Sequence, residues 1–127
     1  MTVMKQLSVF VQNKVGTLHK LADELSRADT NILGTLLVDE KDWSVIRIVV
    51  DNVVKAKEAL QRTGYVFGES DVLAFELSNK PGALSDLAGK LEKENVGIEF
   101  AYISAAGDRA LMIMSTTNDK KAAKLLK

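Results

Sequence analysis

NKVGTL at residues 13–18 returns as NKPGAL at residues 79–84, a displacement of 66 positions. Sliding the sequence on itself by that amount aligns residues 8–61 with 74–127 without a gap. Leu18, Leu21, Ala22 and Leu25 then meet Leu84, Leu87, Ala88 and Leu91, while Asn52, Lys55, Ala56 and Leu60 meet Asn118, Lys121, Ala122 and Leu126. Apolar identities at helical spacing along a gapless run mark an internal repeat.

Before the first turn Leu7, Val9 and Val11 alternate with other residues, and before the second so do Leu73, Phe75 and Leu77. Period-2 alternation predicts a half-buried strand. The leucines after each turn fall at i, i+3, i+4 and i+7, the apolar stripe of an amphipathic helix. NILGTLLV and WSVIRIVV then read as two strands joined by the polar turn DEKD, with GIEFAYIS and ALMIMST as their counterparts around AAGD. A helix closes each unit, VKAKEALQR or KKAAKLLK, and in the first copy the short strand YVFG follows Gly64, a helix-terminating glycine.

The pattern predicts an α+β fold of two ferredoxin-like βαββαβ units in tandem, residues 1–70 and 71–127, each an antiparallel sheet with its helices on one face. The second unit lacks a final strand, so residues 73–77 should present an open edge, covered by the first copy or by another chain. If Val9, Val11, Ile46, Ile48 and Val50 face the helices, then Phe10, Val45 and Val49 point away, as do Leu111 and Ile113 if Met112 and Met114 face in, and such an apolar outer face should meet another surface. Both features predict a homodimer or larger assembly.

Composition narrows the function. Lysine plus arginine and aspartate plus glutamate each number 17, a balance that favours neither nucleic acid nor an anionic membrane. With no cysteine and one histidine, disulfides and thiolate or histidine metal clusters are excluded, and no metal or cofactor is expected. No apolar run has a membrane span's length and the N-terminus lacks a signal peptide's pattern, so the expected location is the cytoplasm.

Strand, glycine turn and leucine helix, present twice, resemble the ACT domain, a small ligand-sensing module of amino-acid metabolism. The resemblance covers nearly the whole chain as a tandem pair. It implies a regulatory role in which ACT units pair and a small ligand, commonly an amino acid, sits at the interface with its carboxylate or amino group at the glycine turn. Helix first-turn N–H groups and the positive dipole end suit a carboxylate.

Carried onto this sequence, the resemblance implies ligand contacts at Asn13, Lys14, Val15, Gly16, Thr17 and Leu18, and at Asn79, Lys80, Pro81, Gly82, Ala83 and Leu84. A second asparagine of some serine-binding members matches Asn31, beside Ile32, but meets Gly97, beside Ile98, in the second copy. The histidine those members carry two residues before the loop asparagine is replaced by Val11 and Leu77, so serine is disfavoured and the copies should be inequivalent. Glu99 is a candidate partner for a ligand ammonium. Each of these residues also has a structural reading: glycine for a left-handed backbone angle, asparagine as a helix cap, Asn31 as a turn residue, Lys14 and Lys80 as solvated surface.

Competing functions fare worse. Acylphosphatase-like enzymes share the fold class but use a loop arginine, which neither QNKVGT nor SNKPGA contains. No catalytic residues are expected, because His19 and its counterpart Ser85 lie on a helix surface and no paired carboxylates mark a pocket. RNA-recognition domains share the strand order but stack bases on strand aromatics, and here LSVFVQ offers only Phe10 and WSVIRIVV only its leading Trp43. The alternative that survives is a ligand-free ACT scaffold that mediates association. Neither the ligand nor a regulated enzyme can be read from the residues.

Overall fold

The structure, a computed structural model, describes residues 2–12 and 14–126. Its elements run β1 (Thr2–Val11), α1 (Thr17–Arg27), β2 (Ile32–Asp39), β3 (Ser44–Val50), α2 (Val53–Arg62), β4 (Val66–Ser78), α3 (Ala83–Lys93), β5 (Ile98–Ala106), β6 (Arg109–Thr116) and α4 (Asp119–Leu125). α1 and α3, and the starts of α2 and α4, are displaced by the 66 residues of the sequence repeat.

The chain forms two compact units, residues 5–70 and residues 71–127 together with 1–4. In the first, β3 lies between β1 and β2, antiparallel to both, with Val11, Ser44 and Asp39 in register at one end and Ile32 opposite Val50 at the other. The start of β4 lies beside β1. Leu7, Val9, Val11, Ile46, Ile48 and Val50 face Leu21 and Leu25 of α1 and Ala56 and Leu60 of α2 to make the core. Full burial of a leucine is worth about 1.5–3 kcal/mol, so this single layer of side chains carries much of the unit's stability.

The second unit repeats the plan. β6 lies between β4 and β5, antiparallel to both, and Leu73, Leu77, Met112 and Met114 pack with Leu87, Leu91, Ala122 and Leu126. The ferredoxin-like pattern of antiparallel strands with helices packed on one face is thus present in both copies. The residues before Lys5 group with this second unit.

Local chemistry repeats as faithfully. Asn52 and Asn118 cap α2 and α4, their side-chain oxygens accepting the N–H of Lys55 (3.1 Å) and Lys121 (3.0 Å). This cap explains the paired asparagines. α1 and α3 end through Asp29 and Asn95, both in the left-handed region (φ 53° and 56°), where Asx residues are tolerated best after glycine.

Two expectations change. YVFG and the strand before the second turn are not separate, since β4 runs unbroken from Val66 to Ser78. From Val66 to Ser78 no residue has positive φ, and the strand passes Gly68 to Asp71 without a turn. The outer face is also less exposed than alternation suggests. Phe10 is exposed and Val45 and Leu111 are half-buried, but Val49 and Ile113 are buried. Ile113 stands in register between Ala74 and Tyr102, and Val49 opposite Gly34, so cross-strand neighbours rather than solvent flank them.

Candidate ligand site at the glycine turns

Gly16 (φ 89°) and Gly82 (φ 91°) both occupy the left-handed region as the residue preceding the helix, which L side chains adopt only under strain. A Cβ at either would meet nothing within 4 Å, so space is open on the side from which a ligand would approach. Among the described residues neither α1 nor α3 receives a side-chain cap, although Thr17 N–H donates to the Lys14 carbonyl (3.2 Å) and Ala83 N–H to that of Lys80 (3.3 Å). The positive end of each helix dipole is left to solvent or to an anion.

In the first turn the Thr17 hydroxyl donates to the Gln12 carbonyl (3.0 Å) and closes the loop on itself, whereas position 83 in the second is alanine. Asn79 ties the second loop to the β5–β6 hairpin: its side-chain amide donates to the Gly107 carbonyl (2.8 Å) and its N–H to the Asp108 carbonyl (2.8 Å). Its counterpart Asn13 lies outside the described residues. Lys14, Val15, Leu18, Lys80, Pro81 and Leu84 are exposed, Val15 completely.

Asn31 is exposed at the start of β2, the end of the sheet opposite the glycine turn. Its N–H donates to Asp51 Oδ1 (2.9 Å) while Asp51 N–H donates to its carbonyl (3.1 Å). In the second unit Gly97 makes the same exchange with Thr117, at 3.0 and 2.8 Å. A Cβ at position 97 would come within 3.1 Å of Thr117 Cγ2, so the second copy has no room for an Asn31 equivalent unless Thr117 shifts. The eight residues of β2, roughly 3.3 Å each, separate Asn31 from the turn by more than 20 Å. One small ligand cannot touch both within a unit. Ile32 packs on the core, Ile98 is partly exposed, and Glu99 accepts the Ser115 hydroxyl (3.2 Å) at an irregularity in the β5–β6 ladder.

Beside the first turn opens a cleft of about 270 Å³. Phe10, Val11 and Gln12 of β1's end, Lys14 and Thr17 of the turn, and Lys20 one helical turn on form one part of its lining. Trp43 and the Gly64–Tyr65–Val66 segment complete it. Burial, then the charge of Glu24, raises the Tyr65 phenol above its ordinary pKa of 10.0, so it remains a neutral donor. In the sequence Trp43 leads the strand-like run WSVIRIVV. It precedes β3 and contributes instead to this cleft. The available signal was the repeat itself, because Phe10, Lys20 and Trp43 align with Glu76, Asp86 and Arg109.

A family model for the ACT domain pair matches residues 1–126. The chain belongs to the ACT domain pair family. Protein BT0572 from Bacteroides thetaiotaomicron is 31% identical to this ACT domain pair and superposes with a TM-score of 0.91, covering 98% of this chain and 86% of that one. The regulatory subunit of aspartate kinase from Thermus thermophilus, in its ligand-free form, shares the fold at 15% identity with a TM-score of 0.75, over 98% of this chain and 91% of that one. The corresponding subunit from Thermus flavus does so at 13% and 0.66, over 98% and 91%. A search of curated protein sequences found no match. Among the described residues of this ACT domain pair, no group of three or more histidine, cysteine, aspartate or glutamate side chains could hold a metal ion, and no helix is long and apolar enough to cross a membrane.

Proposed function

We propose that this ACT domain pair is a regulatory module, not an enzyme, that binds an amino acid or related carboxylate at its glycine turns. Family membership supports a regulatory, ligand-binding role. The observation that carries the reading to these residues is the uncapped N-terminus of α1 behind Gly16, facing open space beside Lys14. Because the turn and Asn31 lie at opposite ends of a unit, a ligand contacting both kinds of position must be shared between two units or two chains. Thermal denaturation across the twenty amino acids and common keto acids tests this. A ligand held only by the folded state at 100 times its Kd stabilises by about 2.7 kcal/mol, which raises Tm by several degrees. Unchanged Tm across the whole panel at millimolar concentrations would leave the ligand-free scaffold as the better reading.

One observation favours association in either case. β2 and β5 each pair on one side only among the described residues, and they expose Leu33, Leu37, Ile98 and Ile103 along those edges. Unpaired edges with apolar side chains are templates for another strand. We therefore propose a cytoplasmic homodimer acting on a partner enzyme not identified by these residues. Sedimentation at micromolar protein should give twice the 13.9 kDa chain mass, and a monomer throughout that range would refute the dimer.

A further inference from the structure

Among carboxylates, the cleft beside Gly16 discriminates by what else it offers. Phe10, Trp43 and Tyr65 supply three aromatic surfaces, and Phe10 and Trp43 are 41% and 56% exposed with no structural task that requires it. Among the described residues of the lining, Lys14 and Lys20 carry the only charges. Glu24, whose charge reaches Tyr65, lies outside the lining.

The second copy carries different chemistry at these positions. Glu76 and Arg109, the counterparts of Phe10 and Trp43, close on each other in an ion pair of 2.6 Å. Asp86 replaces Lys20, reversing its charge. Three differences at one end of one unit convert a self-satisfied polar surface into an aromatic cleft edged by cations. Exposed aromatics are costly to leave in water, and rings stack on rings, so the surface is suited to an aromatic guest.

We propose that the cleft of the first unit binds a carboxylate carrying an aromatic ring, with the ring against Phe10 and Trp43 and the carboxylate toward Lys14, Lys20 and the start of α1. This rests on the reading that the Gly16 turn takes a carboxylate, and it adds the ligand's class and its restriction to one copy. No acid is among the described residues of the lining, but Asp39, Glu40 and Asp42 line an adjoining hollow that shares Gln12 and Trp43 with the cleft, so the amino acid and its deaminated counterpart are compared directly below.

Trp43 is the only tryptophan, so its fluorescence reports this cleft alone. The full chain is titrated with 3-phenylpropanoate, L-phenylalanine, 2-phenylethylamine, propanoate and L-serine, with calorimetry in parallel. The two aromatic carboxylates should shift the tryptophan emission and bind roughly tenfold or more tighter than propanoate and serine, whereas the amine, lacking a carboxylate, should not bind. Phe10→Glu with Trp43→Arg installs the pair that the second copy already folds with, and Lys20→Gln leaves the aromatic surfaces intact. By calorimetry the double variant should lose at least about tenfold in affinity for 3-phenylpropanoate, and Lys20→Gln a smaller factor. Equal affinity for propanoate and 3-phenylpropanoate, or undiminished binding by the double variant, overturns the aromatic site while leaving a carboxylate at the turn. Failure of every carboxylate to bind overturns both.

Discussion

Leu25→Ala should lower the unfolding free energy by about 2–5 kcal/mol, and Leu91→Ala, its counterpart, should fall toward the lower end of that range. Both side chains are essentially solvent-free, at 0% and 1% exposure, so each truncation removes buried surface and leaves a cavity. The difference lies in what surrounds them. Leu25 packs in a cluster with Ile46, Ile48 and Val50, whose β-branched side chains are stiff. Leu91 shares its cluster with Met112 and Met114, which have more rotatable bonds and fill space more readily. Urea denaturation of the variants beside His19→Ala, an exposed control on the same helix as Leu25, makes the comparison. A loss below about 1 kcal/mol at Leu25 would mean that α1 does not carry the first unit's core.

Gly16→Val should abolish carboxylate binding, an effect of at least about tenfold, and cost about 1–3 kcal/mol in stability. The backbone at φ 89° places a β-branched residue in strain, while its side chain would project into the open space beside the turn. Gly16→Asn separates the two causes. Asparagine tolerates left-handed backbone, so stability should largely return, but its side chain still fills the approach and binding should stay weak. Gly82→Val should cost similar stability with little effect on affinity. The second turn is tied to its hairpin through Asn79, and the neighbouring Glu76–Arg109 pair occupies the surface that is a cleft in the first copy. Two equal, independent sites by calorimetry, both surviving these changes, would contradict the asymmetry.

Much of the fold was legible because the repeat is written in local terms. Leu18, Leu21 and Leu25 announce a helix by spacing alone, Gly16 and Gly82 mark the turns, and the gapless displacement fixes the element order. What escaped was non-local. The unbroken β4 depends on the absence of any turn between Gly68 and Asp71, and no residue type there states that negatively. That residues 1–4 belong with residues 71–127 is a matter of strand neighbours far apart in the chain. Alternation assigned Val49 and Ile113 to the outer face but could not report how closely adjacent strands cover them. The glycine turn itself was visible, yet the cleft beside it gathers Phe10, Lys20, Trp43 and Tyr65 from four separate stretches.

The proposed function requires that backbone N–H groups at the start of α1 hold a carboxylate. Amide proton and nitrogen shifts of the uniformly labelled chain, followed while 3-phenylpropanoate or the best ligand of the thermal panel is added, test it most directly. The largest saturable shifts should fall on Gly16, Thr17, Leu18 and His19, with downfield amide protons as they acquire an anionic acceptor, and should vanish in Gly16→Val. Saturable binding whose shifts leave those four amides unmoved would contradict it.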